Sequence, residues 1–244
     1  MENYFTRELK DILTAGLDQM GVSVNSQQLD QFGLFLNLLL DWNQRMNLTA
    51  LKEPKQVITH HFLDSATCAL GEGFARHRRL LDLGTGAGFP GMPLQILFPA
   101  QQYTLMDALQ KRIRFLEETR KLLQLESLHL VHARAEEAGK GKEHRENYEA
   151  AVSRAVASLP ALLEYTVPFL QVEGLFYCQK GPRWQEEVVD AANAMQALAV
   201  TLEESLPVTV PFTDRTHQLL IFRKREATND RYPRKPGTPS KKPL

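Results

Sequence analysis

The segment that most constrains how this chain can fold is residues 79–91, where a short apolar run passes directly into a loop with four glycines. The run Leu80–Leu83, interrupted only by Asp82, predicts a buried parallel strand. Pro90 and the apolar residues 92–98 predict that a helix begins directly after the loop. In α/β sheets this order builds a nucleotide pocket, because glycines admit close backbone approach and the helix supplies free N–H groups.

The glycine spacing alone does not decide which cofactor the pocket holds. Gly86-x-Gly88-x-x-Gly91 satisfies the dinucleotide pattern, so a nicotinamide or flavin enzyme is one alternative. However, Gly84 follows the strand directly, and Gly84-x-Gly86-x-Gly88 resembles the first motif of class I S-adenosylmethionine (SAM) methyltransferases. Both alternatives stay open until the downstream residues are considered.

The composition is that of an ordinary globular protein. The 244 residues, 43% hydrophobic and 24% charged, can bury one core with a small appended subdomain. Cys68 and Cys178 cannot build a disulfide framework and favour a reducing compartment. The N-terminus lacks the pattern of a signal peptide, and the longest apolar stretch is too short to cross a bilayer. We therefore expect a cytoplasmic protein that does not associate with a membrane.

Charge is distributed unevenly along the chain, although the formal net charge is zero. Residues 223–244 carry eight basic and two acidic side chains, or +6, so the remaining residues carry −6. Any RNA-binding surface must therefore be local, formed by this tail and by Lys111, Arg112 and Arg114 beside the pocket. The prolines between the basic residues predict an extended tail that becomes ordered only on RNA binding; a solvated tail without that role is the alternative.

Three amphipathic segments precede the first strand and predict an N-terminal helical cap. They are residues 3–20, residues 26–43 with Ser26 as the N-cap, and residues 54–71. The third segment carries His60, His61 and Asp64.

The strand pattern predicts an α/β fold, namely the Rossmann-like, seven-stranded sheet of class I SAM methyltransferases with a C-terminal antiparallel hairpin. After the first strand, further strands are expected at 103–107, 129–132, 149–153, 175–179, 207–212 and 218–222, and the last two are close enough for a hairpin. A dinucleotide enzyme normally adds a second α/β half and a substrate domain, for which the sequence leaves no residues. We therefore divide the chain into a helical cap (1–72), a methyltransferase domain (73–225) and a basic, proline-rich tail (226–244).

An acidic residue at the end of the second strand supports a ribose pocket. Asp107 can accept hydrogen bonds from two ribose hydroxyls, in SAM as well as in NAD. After the third strand, the backbone N–H groups of Ala135 and Glu136 can border an adenine ring.

Several kinds of methyl transfer are disfavoured by the residues present. The segment after the fourth strand, Ser153-Arg154-Ala155-Val156, lacks the Asn/Asp-Pro-Pro-aromatic turn of enzymes that methylate exocyclic amines. Methylation at cytosine C5 needs a cysteine nucleophile, and Cys178 is expected to be a buried strand residue. His60-His61-x-x-Asp64 offers too few ligands for a metal site. An acceptor such as guanine N7, which carries a lone pair and no proton, needs alignment and no base.

Five segments in order resemble the RsmG (GidB) family of bacterial methyltransferases. They are Trp42-Asn43-x-x-Met46-Asn47-Leu48-Thr49, His61-Phe62-Leu63-Asp64-Ser65, the glycine segment 81–91, Ser153-Arg154-Ala155 and Lys180-Gly181. The resemblance implies methyl transfer from SAM, which leaves S-adenosylhomocysteine, to N7 of a specific guanine (nucleotide 527) of 16S ribosomal RNA. The substrate would be that RNA or the small ribosomal subunit, and the enzyme is expected to act as a monomer.

The resemblance also assigns roles to individual residues. SAM contacts are implied at Gly84, Phe89, Ala135, Glu136 and Arg154, and they join Gly86, Gly88 and Asp107 as the expected cofactor site. We expect Asn47, His61, Asp64 and Arg154 at the rim where guanine enters, although His61 and Asp64 could instead tie the helical cap to the sheet. The alternatives are a SAM enzyme with another acceptor, a nicotinamide oxidoreductase and a non-catalytic RNA-binding protein.

Overall fold

Residues 3–154 and 157–244 are described by a computed structural model. Ala155 and Val156, which complete the segment after the fourth strand, lie outside the described residues. Within the described ranges the strands form a seven-stranded sheet in the order β3-β2-β1-β4-β5-β7-β6. They are β1 (Arg79–Leu83), β2 (Gln102–Asp107), β3 (Leu128–His132), β4 (Tyr148–Arg154), β5 (Leu170–Lys180), β6 (Val200–Thr209) and β7 (Thr216–Lys224). The predicted α/β fold and its C-terminal hairpin are confirmed.

The direction of the strands places several strand ends at one edge of the sheet. β1 to β5 are parallel, whereas β7 is antiparallel to both β5 and β6. β6 therefore runs parallel to β5, and the turn between β6 and β7 lies at the same edge as the glycine loop. The side chains of the candidate site come from this edge.

Helices cover both faces of the sheet. They are α1 (Arg7–Gln19), α2 (Ser26–Met46), α3 (Pro54–Val57), α4 (Asp64–Ala66), α5 (Gly91–Leu97), α6 (Gln110–Leu123), α7 (Ala135–Ala138), α8 (Leu159–Thr166), α9 (Trp184–Asp190), α10 (Ala192–Ala197) and α11 (Thr238–Lys241). A π-helical turn, Ile58–Leu63, joins α3 to α4. In the part of the chain that is described, no helix has both the length and the apolar character needed to cross a bilayer.

The N-terminal cap and the sheet share one hydrophobic core. Leu13 of α1 and Phe35 of α2 belong to the same buried cluster as Leu80 of β1 and Phe115 of α6. A second cluster, which includes residues of α8 and α10, covers the opposite face of the sheet. Burial of each large apolar side chain contributes about 1.5–3 kcal/mol, so this shared cluster holds the cap rigidly over the sheet.

Several predicted boundaries are wrong; β5, for example, begins at Leu170 and not at residue 175. The N-cap of α2 is Asn25 and not Ser26, because Asn25 and Gln28 exchange side-chain-to-backbone hydrogen bonds of 2.9 Å in a capping box. β6 begins at Val200 and not at residue 207, because it is an edge strand and most of its exposed positions are polar. Such an edge strand also tolerates Pro207 within it.

The C-terminal tail packs against the protein, so the prediction of an extended segment that becomes ordered only on RNA binding is wrong. Tyr232 is buried, and Pro239 in α11 is buried as well. Arg234 forms an ion pair with Glu164, which is completely buried in α8. Proline fixes the backbone φ angle in a closely packed loop as readily as in an extended chain. The proline content therefore did not distinguish the two.

Acidic side chains of the body also neutralise much of the basic charge in residues 223–244. Arg223 and Arg225 both pair with Glu203, and Lys224, which is completely buried, pairs with Glu146 at 2.6 Å. With the pair formed by Arg234, half of the eight basic side chains have acidic partners. The sequence total of +6 therefore overstates the charge that this region presents to RNA.

Candidate active site

The glycine loop turns sharply where β1 ends. Gly84 and Gly86 have φ angles of 72° and 62°, a region that L side chains rarely adopt. A Cβ added at Gly86 would meet no atom within 4 Å, so this position faces open space. The Gly86 N–H donates to Asp107 Oδ2 at 3.0 Å, which joins the loop to the end of β2.

Gly88 has a different function from the other glycines of the loop. It also has a positive φ, 95°, but an added Cβ would lie 2.9 Å from the Leu116 side chain and 3.0 Å from that of Met92. Gly88 therefore permits α5 to pack closely against α6. It does not line the cavity beside the loop, where the sequence had placed it.

Asp82 fixes both ends of the loop. Its Oδ2 accepts hydrogen bonds from Thr85 Oγ1 at 2.6 Å and from Gly91 N at 2.7 Å. A Cβ added at Gly91 would lie 2.6 Å from the same oxygen, so a side chain at the start of α5 would displace the carboxylate. Burial raises the pKa of Asp82 to about 7, although the two hydrogen bonds oppose this shift.

A cavity of about 640 Å³, the loop cavity, opens beside the glycine loop. Six of the predicted site residues line it, namely His61, Gly84, Gly86, Phe89, Asp107 and Arg154. The remaining lining residues are Leu48, Thr49, Thr85, Ala87, Ala108, Leu109, Arg112 and Arg215. Asn47, Asp64, Gly88, Ala135 and Glu136 are predicted site residues that do not line it.

Asp107 is held in place by three donors. Oδ2 accepts from Gly86 N and from Arg112 Nη1, both at 3.0 Å, and Oδ1 accepts from Leu109 N at 2.8 Å. Asp107 is almost completely buried, whereas Arg112 is partly exposed. The carboxylate thus has a fixed orientation toward the cavity, where a carboxylate can accept from vicinal hydroxyls.

Arg154, at the end of β4, is the centre of a hydrogen-bonded cluster between the cap and the sheet. Nη1 donates to the carboxylate of Asp64 and, at 3.2 Å, to the carbonyl of His60. Nη2 donates to His61 Nδ1 at 2.9 Å. The guanidinium carbon lies 5.3 Å from the ring centroid of Phe89.

The ring of His61 is engaged on both edges and on one face. It stacks on Phe89 with a centroid distance of 4.3 Å. Because Arg154 can only donate, Nδ1 must accept, and the neutral ring then carries its proton on Nε2, 2.8 Å from Thr49 Oγ1. Burial and the charge of Arg154 lower the pKa of His61 to about 3. His61 is therefore neutral at physiological pH and orients Arg154.

Asp64 compensates the charge of Arg154 in a nearly solvent-free position. It is 3% exposed, and Oδ1 lies 3.3 Å from His217 Nδ1 while Oδ2 contacts Arg154. The backbone carbonyl of Asp64 accepts from Gln179 Nε2 of β5 at 2.6 Å. Asp64 and His61 thus tie the cap to the sheet, which is the structural alternative that the sequence left open, and in doing so they hold Arg154 in place.

Local backbone geometry brings these cap residues to Arg154. The carbonyl of His60 and the ring of His61 both reach the guanidinium from the π-helical turn Ile58–Leu63, and such turns are frequent at functional sites. Asn47 is the C-cap of α2, with φ 47° and ψ 54°, a left-handed conformation that asparagine tolerates. Its side chain is exposed, and the next residues, Leu48 and Thr49, line the loop cavity.

A second cavity, of about 740 Å³, also has Arg154 in its lining. Asp64, Gln179, Lys180, Arg183 and His217 are among its lining residues. Arg154 and Arg215 line both cavities, so the two spaces adjoin at these residues.

Residues 28–214 match the family model described as rRNA small subunit methyltransferase G. The chain belongs to this family. Relatives carrying the corresponding name, ribosomal RNA small subunit methyltransferase G, include proteins of Alkaliphilus metalliredigens, 46% identical, and Acetivibrio thermocellus, 42% identical. The alignments cover 97% of this chain in both cases, and 99% and 97% of the respective relatives.

Solved structures with low sequence identity show the same fold. A Klebsiella pneumoniae protein named as an O-methyltransferase has a TM-score of 0.56 at 14% identity and covers 88% of this chain and 96% of its own. A Haloferax volcanii methyltransferase in complex with its activator Trm112 has a TM-score of 0.55 at 14% identity, covering 77% and 98%. This family member therefore has the class I SAM-dependent methyltransferase fold.

Ala135 and Glu136 of this family member lie at the start of α7, directly after the end of β3. Ala133 N donates to the carbonyl of Asp107 at 3.2 Å, which places this segment beside the acid of β2. The Glu136 carboxylate faces away from solvent and accepts from Gly237 N of the tail at 2.8 Å. The cofactor role of these two residues stays a prediction.

Eight lining residues of the loop cavity were not among the predicted site residues, and two of them, Arg215 and Leu109, add a charged group and an exposed apolar side chain. Arg215 lies in the turn between β6 and β7, and its position results from the antiparallel hairpin, which returns this turn to the edge of the glycine loop. Leu109 is 44% exposed and lies two residues after Asp107. A leucine between Asp107, the carboxylate predicted to bind the ribose, and the basic segment that begins at Lys111 is the sequence signal that could have identified it.

We predict that Asp82→Asn reduces the dependence of folding stability on pH. The folded-state pKa lies above the unfolded value, so wild-type Asp82 contributes stability at low pH that is lost as the pH rises from about 4 through 7. The loss is on the order of 1–4 kcal/mol. Asparagine can keep the oxygen acceptor for Thr85 and Gly91 without ionising. Urea unfolding of both proteins at pH 5 and pH 8 measures the difference, and parallel pH profiles would contradict this assignment.

Proposed function

We propose that this protein transfers the methyl group of SAM to N7 of a specific guanine in 16S ribosomal RNA. The observation that carries the proposal is the pair of adjoining cavities, one at the glycine loop and one beyond Arg154, in a chain of this family. The loop cavity receives the cofactor, and the second cavity receives the base. Because the family acts on ribosomal RNA, we place the enzyme in the cytoplasm, and we propose that it acts as a monomer.

The residues of the loop cavity fit SAM. Gly86 leaves its Cβ position open, so a ligand can approach the loop backbone closely. The fixed carboxylate of Asp107 is suited to hold the ribose hydroxyls, and Phe89 and Leu109 offer apolar surface. The bound cofactor supplies an electrophilic methyl group on a sulfonium. The protein contributes binding, orientation and exclusion of water.

The arrangement around Arg154 suits an acceptor that needs no general base. Guanine N7 attacks with its own lone pair, so no proton has to be removed. His61 is neutral with both nitrogens engaged, and the Asp64 carboxylate is paired with Arg154. Fixing two reactants in line can lower the activation barrier by about 7–11 kcal/mol. The rigid cluster around Arg154, where the two cavities adjoin, provides that orientation. The charge compensation by Asp64 also limits repulsion of the cationic sulfonium and product.

We predict that Gly86→Val abolishes SAM and S-adenosylhomocysteine binding, because a branched side chain would enter the loop cavity. Gly73→Val is the matched control. Gly73 has a similar φ of 75° and open space at its Cβ position, but it does not line the loop cavity. Calorimetry of wild type and both variants with SAM, S-adenosylhomocysteine and NAD is the measurement. Binding of NAD by the wild type, without binding of SAM, would contradict the proposed function.

We predict that Arg215→Ala weakens binding of 16S ribosomal RNA and lowers its salt dependence. Arg215 is exposed at the junction of the two cavities, and loss of one phosphate contact reduces the slope against log salt by about one. Arg76→Ala removes an exposed arginine far from this edge and serves as the control.

Methylation assays on RNA from cells lacking the protein, with mapping of N7-methylguanine, test the reaction itself. Methylation at another atom would favour a different acceptor.

We predict that Cys178→Ala retains methyl transfer and loses only stability, by about 1 kcal/mol. Cys178 is completely buried in β5, and burial raises the pKa of its thiol to about 12, so a thiolate nucleophile is not formed. Turnover of the variant and its urea unfolding are measured side by side. A folded variant that binds SAM but has no turnover would favour cytosine C5 methylation.

A further inference from the structure

We propose that the C-terminal segment 228–244, here called the strap, positions the adenine side of the cofactor pocket by holding α7 against the sheet. The inference rests on the proposed function, because it takes SAM as the ligand, and on the sequence prediction that Ala135 and Glu136 border its adenine. It assigns the strap a role inside the enzyme and not primarily on RNA.

Arg145 fastens the beginning of the strap to the end of α7. Nη1 donates to the carbonyl of Gly139, directly after α7, at 2.9 Å and to that of Tyr232 at 2.8 Å. Nη2 donates to the carbonyl of Thr228 at 2.6 Å. One guanidinium thus joins two backbone segments that are far apart in sequence.

A buried ion pair fixes the middle of the strap. Glu164 of α8 is fully buried, and its two carboxylate oxygens accept from Arg234 Nε at 2.9 and 3.0 Å, from Nη2 at 2.6 Å and from the backbone N of Arg234 at 2.7 Å. Loss of Arg234 would leave the buried carboxylate of Glu164 without compensation, so the strap is strongly held in this position. The charge of Arg234 is therefore not available to RNA.

The end of the strap reaches the predicted adenine segment directly. Gly237 N donates to Glu136 Oε1 at 2.8 Å, and a Cβ added at Gly139 would lie 3.2 Å from the ring of Pro233. α7 has only four residues, too few for a helix that is stable by itself, so its position depends on these contacts. α7 follows the end of β3, where Ala133 N donates to the carbonyl of Asp107. A displaced α7 would therefore move the residues predicted to border the adenine relative to the carboxylate predicted to bind the ribose.

Truncation before Pro236 tests the proposal while Tyr232 and Arg234 stay in place. We expect the truncated protein to bind S-adenosylhomocysteine roughly tenfold more weakly in calorimetry, because it lacks the Gly237 hydrogen bond to a carboxylate. A full-length variant with Lys241→Ala and Lys242→Ala is the control; it loses two exposed cations, keeps the strap and should bind the ligand as the wild type does. Unchanged affinity of the folded, truncated protein would overturn the proposal.

Hydrogen exchange on the wild type provides a second readout that does not depend on how the truncated protein folds. Coupling is reciprocal, so S-adenosylhomocysteine should slow exchange in a peptide covering residues 233–241, although these residues do not line the loop cavity. Exchange in the edge strand β6 is the control and should be unaffected. Equal exchange in the strap with and without ligand would overturn the proposal, whereas absence of ligand binding by the wild type would overturn the proposed function together with it.

Discussion

The geometry of the site depends on one buried carboxylate at the end of the central strand. Asp82 accepts from Thr85 and from Gly91, so the beginning of the glycine loop and the beginning of α5 are fixed to the same oxygen. The N–H of Gly86 donates to Asp107, so the glycine loop that follows β1 is fixed relative to the end of β2. A carboxylate removed from water is costly unless it is well hydrogen-bonded, and this cost keeps the loop in a single arrangement.

The cluster around Arg154 shows that structural and functional explanations of a residue can both be correct. His61 and Asp64 tie the cap to the sheet, and the same contacts fix the guanidinium between the two cavities. In a reaction that needs alignment and no base, the rigidity of this cluster itself contributes to the rate. A residue that acts only by holding another in place is still necessary for the geometry.

Features that depend on local sequence pattern could mostly be predicted. The seven strands, the glycine loop and Asp107 were all identified, because apolar runs and glycines can be read directly from short stretches of sequence. Long-range pairings were not visible. The position of Arg215 depends on a hairpin turning back to the edge of the glycine loop, and the separate function of Gly88 depends on the contact of α5 with α6.

The tail shows why amino-acid composition gave a wrong prediction for a segment whose structure depends on burial against the rest of the protein. A stretch rich in proline, lysine and arginine is typical of a segment that cannot bury enough apolar surface to fold alone. Residues 228–244 do not fold alone, since they dock on a body that already offers a buried glutamate in α8 and an arginine between two backbone segments. Arginine is suited to such docking, because its planar group can satisfy several oxygens at once. Some of the charges that suggested an RNA-binding tail thus form ion pairs with the body of the protein. These contacts lie beside the segment that we assign to the cofactor.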